Sequence, residues 1–176
     1  MSVESHRREA PTTLGFAAIT VSDSRTAETD TGGLAIRERV VAAGHRLVAA
    51  ALVRDDVAAI RGALRSMLAH AEVDAVVLTG GTGFSPRDLT REAVEPLLER
   101  PVEGFGELFR MLSYPEIGAA AMLSRSFAGV AQGRAVYLLP GSPKAVALAM
   151  ERLILPETGH LLAQVRRSDR RGAPAM

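Results

Sequence analysis

The chain has 176 residues, of which 47% are hydrophobic and 23% charged, the balance of one ordinary globular domain large enough to bury its own core. Its formal net charge of +1 gives no excess that would argue for a nucleic acid or a membrane surface as partner. The absence of cysteine excludes disulfides, thiolate metal sites, iron–sulfur clusters and a cysteine nucleophile.

In chain order, residues 1–13 are polar and without periodicity, and read as a flexible leader. They lack the pattern of a signal peptide, and no apolar run approaches the ~20 residues of a membrane span, so a cytoplasmic location is expected. Phe16–Val21 is a short apolar strand that ends in Ser22-Asp23-Ser24-Arg25. Thr26–Gly33, with acidic, hydroxyl and glycine residues, reads as a surface loop. Leu34–Ala43 reads as a helix, with Gly44 as its left-handed stop, and His45–Val53 as a second strand. Asp55-Asp56 then precedes Val57, Ile60, Leu64, Met67, Leu68 and Ala71 at helical spacing, and either aspartate suits the cap of that helix.

Ala75–Thr79 is a continuous apolar run, the pattern of a strand buried on both faces. It breaks at Gly80-Gly81-Thr82-Gly83, whose missing Cβ atoms allow positive φ and close backbone approach, and continues to Ser85, Arg87 and Asp88. Thr90–Glu99 predicts a short helix bent or ended near Pro96, and Gly104–Tyr114 another, with Phe105, Phe109 and Leu112 on a side that suits the core or a subunit interface. Ser124–Val130 and Arg134–Leu139 read as strands joined in a hairpin through Gln132-Gly133, which puts one antiparallel strand in a parallel sheet. Pro140-Gly141-Ser142-Pro143-Lys144 turns into a helix to Ile154, with Ser142 at the N-cap and Pro143 at the first helical position. Lys144 is the only lysine among 21 basic residues. A last helix over Pro156–Val165 leads into a charged tail, residues 166–176, which leaves 14–165 as the folded domain. Strands alternating with helices predict a three-layer α/β/α sandwich with a mostly parallel sheet and one antiparallel strand.

Ser22-Asp23, the glycine loop and the Pro140–Lys144 turn all follow strands, so a parallel sheet would carry them along one edge, where open α/β sheets bind ligands. Backbone N–H groups, hydroxyls, a guanidinium and carboxylates suit a phosphorylated ligand and its metal. The P-loop spacing and the Gly-x-Gly-x-x-Gly of dinucleotide folds are both absent, the four histidines lack metal-ligand spacing, and no Gly-x-Ser-x-Gly elbow is present. Asp55-Asp56 and Asp88 each read as helix caps or as magnesium-holding carboxylates near phosphates.

Thr79-Gly80-Gly81-Thr82-Gly83-Phe84-Ser85-Pro86-Arg87-Asp88 resembles the central signature of the molybdenum-cofactor biosynthesis family that includes MogA, MoaB and gephyrin-like G domains. The likeness continues through Glu103–Ser113, Leu123–Ser126 and Leu139–Lys144, with Val21–Arg25 fitting the family's first strand end. The Gly104–Ser113 segment looks more like MoaB than MogA. The resemblance implies a molybdopterin-binding fold and Mg-ATP-dependent adenylylation of molybdopterin, with Mg2+ as cofactor and ATP as co-substrate. It also implies a homo-oligomer, trimer or hexamer, and a possible hand-over to the molybdate-inserting enzyme. Carried over by position, Asp55 and Asp88 are its catalytic and magnesium-binding carboxylates, with Asp55 aligning better than Asp56. Ser22, Asp23, Thr79, Gly80, Gly81, Thr82, Gly83, Arg87, Ser124, Arg125, Pro140, Gly141, Ser142 and Lys144 match its ligand-contacting positions. A second reading is a molybdopterin-binding protein of the same pathway without efficient turnover. A Rossmann-like redox enzyme is a third, against which the loop spacing argues.

Overall fold

The structure, a computed structural model, describes residues 11–170, and side chains to residue 166. Most of the expected leader and the end of the expected tail lie outside the described residues. The elements in order are β1 (Gly15–Val21), α1 (Thr31–Ala42), β2 (Arg46–Val53), α2 (Val57–Ala69), β3 (Ala75–Thr79) and α3 (Thr90–Val94). They continue with β4 (Arg100–Pro101), α4 (Glu103–Ile117), β5 (Phe127–Ala131), β6 (Arg134–Leu139), α5 (Pro143–Ala149) and α6 (Leu155–Arg170).

The six strands form one sheet in the order β2-β1-β3-β6-β5-β4. β2, β1, β3 and β6 run parallel, and β5 runs against both β6 and β4. The expected three-layer sandwich with one antiparallel strand is therefore the fold. The hairpin turn between β5 and β6 has positive φ at both Gln132 and Gly133, +50° and +72°, the combination whose twist matches that of paired strands.

Alternate residues of each central strand face opposite layers. Phe16 and Ala18 of β1, Val77 of β3 and Tyr137 of β6 pack with Ile36 and Val40 of α1, Phe105 and Phe109 of α4, and Val146 and Ala149 of α5. On the other face, Ala17, Ile19, Val76, Leu78 and Val136 pack with Ile60, Leu64 and Leu68 of α2 and Val94 of α3. Each fully buried Leu, Ile or Phe in these two layers stabilises the fold by about 1.5–3 kcal/mol. The Phe105 and Phe109 rings are stacked at 6.4 Å and belong to the core.

Several elements depart from the sequence reading. α1 begins at Thr31, inside the expected loop, because Asp30 caps it: its side chain accepts the Gly33 N–H. α3 gives way to a 3-10 turn over Glu95–Leu97, where Pro96 cannot donate to a helical ladder. β4 lies where no strand was expected; its two residues, one of them proline, give no periodic signal. β5 starts at Phe127, not Ser124: the Ser124 N–H is taken by the Ala121 carbonyl at 3.1 Å and the Ser126 N–H by the Ser124 hydroxyl at 3.4 Å. α4 runs past Tyr114 to Ile117, and α6 runs past Val165 to Arg170. No break separates α5 from α6. A π-helical turn, Met150–Ile154, joins them, and its wider ladder precedes Pro156, whose ring and missing N–H disrupt an ordinary α-turn there.

Candidate functional site

The carboxyl ends of β2, β1, β3 and β6 lie along one sheet edge, and chain direction across the sheet reverses between β1 and β3. α1 covers one face there and α2 the other. The glycine loop stands at this reversal and faces both ways. Gly80 has φ +99°, and a Cβ on it would meet the Val21 carbonyl oxygen at 2.2 Å. Gly81 has φ +61°, and a Cβ there would meet the Thr90 hydroxyl at 2.1 Å and Asp55 Oδ2 at 2.4 Å. Only glycine fits both positions.

On the α2 side the loop meets the carboxylates. Asp56 is the cap of α2, accepting the Ala59 N–H at 2.8 Å. Asp55 is thereby free to face the loop, where its Oδ1 accepts the Leu89 N–H at 2.9 Å. Burial raises the Asp55 carboxyl above its ordinary range, opposed by the Leu89 hydrogen bond and reinforced by the charges of Asp88, Asp23 and Glu92. Asp23 is close by, and its Oδ1 accepts the Asp55 N–H at 3.2 Å. Asp88 closes the Ser85–Asp88 turn, with Oδ2 accepting the Ser85 N–H at 2.9 Å. Among the described residues no group of three or more His, Asp or Glu side chains could hold a metal ion. A desolvated carboxylate among like charges, too few to cage a cation alone, fits magnesium that completes its shell with substrate phosphates and water.

On the α1 side lies a groove of about 410 Å³, lined by Thr20, Val21, Ser22, Arg25, Asp30, Gly32, Thr79, Gly80, Gly141, Ser142 and Pro143. Its walls are tied together by backbone. The Thr79 hydroxyl donates to the Pro140 carbonyl at 2.8 Å, and the Gly80 N–H to the Leu139 carbonyl at 3.1 Å. Gly141 packs beside Gly80, with room for a Cβ at ordinary contact distance, 3.5 Å from Gly80 Cα. The Ser22 hydroxyl accepts the N–H groups of Ser24 and Arg25, at 3.2 and 3.1 Å. Ser142 is the N-cap of α5 with Pro143 in its first turn, as the sequence indicated, but its side chain makes no capping hydrogen bond.

The other sequence-derived candidates are spread around this edge. Arg87 and Lys144 are exposed. Ser124 lies on the approach to β5 and is not among the groove residues. Arg125 is turned to the protein. Its Nε donates to the Thr82 carbonyl at 3.1 Å, one terminal nitrogen to the Asp88 carbonyl at 2.9 Å and the other to Glu92 Oε1 at 2.5 Å. The guanidinium also lies 5.4 Å from the Phe84 ring centroid. Arg125 thus fastens the glycine loop and Asp88 to α3. Three further residues were not among the candidates. Thr90 is fully buried and braces the loop through bonds between its hydroxyl and the Gly80 carbonyl, 2.9 Å, and its N–H and the Gly81 carbonyl, 3.1 Å. Asp30 and Thr20 line the groove as a bonded pair, 2.9 Å apart. The cap position of Asp30 before a helix was the one available signal, masked by the glycines that follow it.

Comparison with known proteins points to one family. The sequence profile of the family described as "Probable molybdopterin binding domain" matches residues 17–160. Molybdenum cofactor biosynthesis protein B of Halalkalibacterium halodurans is 47% identical over 166 residues, covering 94% of this chain and 98% of that protein. A crystal structure of a molybdenum cofactor biosynthesis protein B superposes with a TM-score of 0.86 at 44% identity, covering 90% of this chain and 99% of the other. The tungsten cofactor synthesizing protein MoaB of Pyrococcus furiosus superposes with a TM-score of 0.75 at 38% identity, covering 89% and 99%.

Proposed function

The chain belongs to the probable molybdopterin binding domain family of molybdenum cofactor biosynthesis, MoaB type, and from that premise we propose that it adenylylates molybdopterin with Mg-ATP. In this reaction a terminal phosphate oxygen of molybdopterin attacks the α-phosphorus of ATP. A new P–O bond forms, the bridging bond from the α-phosphorus to the β-phosphate breaks, and pyrophosphate leaves with the electron pair.

Such a transfer needs no protein nucleophile. It needs two anionic reactants held in line and their charge neutralised. The observation that carries the reading is the pairing of Asp55 with the glycine loop: a half-buried carboxylate, raised by that partial burial, hydrogen-bonded to Leu89 one residue beyond Asp88. Asp55 and Asp88 would hold magnesium, which supplies positive charge to the polyphosphate. The glycine loop keeps backbone atoms near the reacting phosphates, and exposed Arg87 and Lys144 supply mobile cations at the rim. The groove on the α1 side takes a heterocycle of one reactant. Leu108, Met111, Tyr114 and Ile117, exposed along α4, support self-association, and the adenylylated product would pass to the molybdate-inserting enzyme.

The test is pyrophosphate release from ATP by the purified chain. Release that requires both molybdopterin and magnesium supports the transferase. No release while molybdopterin still binds would replace it with a binding-only role.

A further inference from the structure

Asp30 is a buried carboxylate that the proposed transfer does not use. It is 9% exposed, with Oδ1 accepting the Gly33 N–H at 2.8 Å and Oδ2 accepting the Thr20 hydroxyl at 2.9 Å. Arg37 approaches Oδ2 only to 3.9 Å. A helix cap needs a single acceptor, which a neutral asparagine or serine supplies as well. A carboxylate carries about four acceptor positions, so the cap and Thr20 leave capacity on both oxygens. With Arg37 beyond hydrogen-bond distance, burying that charge is costly unless further donors reach it. The same residue lines the groove of about 410 Å³, so donors of a ligand can reach it there.

The shape of the groove restricts which donors arrive. Gly32, Gly80 and Gly141 contribute backbone without side chains, and a Cβ on Gly32 would lie 3.2 Å from the Gly141 carbonyl oxygen. These three glycines leave backbone rather than side chains along part of the groove, which suits the face of a flat ring. The two reactants carry different rings. A pterin presents two adjacent donors, its 2-amino group and N3–H, to an acceptor. Adenine presents its 6-amino donor beside the N1 acceptor, which a carboxylate repels.

We propose that Asp30 is the specificity-determining residue of this groove, accepting hydrogen bonds from the 2-amino and N3–H edge of a pterin ring. The inference rests on the pterin-binding reading of the family and assigns the wall that reads the ring.

The test compares binding of free pterin (2-amino-4-oxopteridine) with that of lumazine, which has an oxo group in place of the 2-amino donor, to the full chain by fluorescence titration. A buried acceptor left without its donor costs enough that wild type should prefer pterin by about tenfold or more. Asp30→Asn keeps an acceptor for the Gly33 N–H but turns a donor toward the ring, and should bring the two affinities within about twofold at an unchanged thermal midpoint. Asp30→Ser, which also retains a cap, gives the same result if the asparagine variant folds poorly. An unchanged preference for pterin in these variants, or no preference in wild type, overturns the proposal. So does a loss of AMP binding in Asp30→Asn with pterin binding intact. The transferase reading stands apart: absent pyrophosphate release with an Asp30-dependent pterin preference leaves this inference in place, and release with an unchanged preference removes it alone.

Discussion

Asp55 accepts the Leu89 N–H at 2.9 Å across 34 positions of chain, and this bond joins the end of β2 to the residue after Asp88. It brings the two candidate carboxylates close enough for the charge of one to act on the other, and leaves Asp55 half-buried. Its consequences for stability and chemistry are separable.

Burial raises the Asp55 carboxyl in the fold, so the folded chain holds that proton to higher pH than the unfolded chain does. Its contribution to stability is therefore present below the ordinary carboxylate value of 3.8 and lost as pH rises through the higher folded value. Asp55→Asn keeps an acceptor for Leu89 and removes the charge. Without metal, the variant should melt above wild type at neutral pH and level with it in acid, while losing adenylyl transfer. A lower midpoint at neutral pH would contradict the burial argument.

Gly81 leaves no room for a side chain. Gly81→Ala would set a Cβ 2.4 Å from Asp55 Oδ2 at φ +61°, displacing the carboxylate and straining the backbone. The expected cost is about 1–3 kcal/mol with loss of activity. Gly133 has φ +72° with open space around it, so Gly133→Ala should cost only about 1–2 kcal/mol and leave activity intact. Denaturant titration and turnover measured on both variants separate crowding from strain.

Arg125 fastens Thr82, Asp88 and Glu92 with one planar group. Arg125→Ala should destabilise the chain by about 2 kcal/mol, since charge-assisted bonds are lost and Glu92 is left without its partner. Arg125→Lys should not restore the loop, because an ammonium cannot span three acceptors in a fork. Hydrogen exchange over residues 80–89 should quicken in both variants. Protection equal to wild type in Arg125→Lys would show that charge alone suffices.

The sequence carried the sheet well because its signals are local. The apolar run Ala75–Thr79 is central and buried on both faces, and Gln132-Gly133 makes the turn its composition indicates. Asp55 and Asp88 stood out as candidates through their place after strands and through family likeness. Residue type alone did not separate Asp55 from Asp56, because both suit a cap; family likeness favoured Asp55, and the fold turns it to the loop while Asp56 caps α2. Asp30 was hidden since Gly32 and Gly33 look like loop, although they sit in a helix whose first turn packs against Thr79 and Gly141. Arg125 was expected at a ligand, and in the fold it donates to two carbonyls and the Glu92 carboxylate, all more than 30 positions away, which no local pattern reveals. The continuous helix through Pro156 was missed because a π-turn relieves the proline in a way residue type alone does not report.

Asp88 offers the most direct test of the central claim. Its Oδ2 holds the Ser85 N–H, an acceptor that asparagine retains, so Asp88→Asn should fold as wild type does. The measurement is mass detection of adenylyl-molybdopterin from fresh molybdopterin and Mg-ATP, with wild type and Asp88→Asn side by side. The account predicts product from wild type and a fall of about a hundredfold or more in the variant, as expected when an electrostatic group is removed at the reacting phosphates. Equal product from both would contradict the assignment of Asp88, and no product from wild type would contradict the transferase.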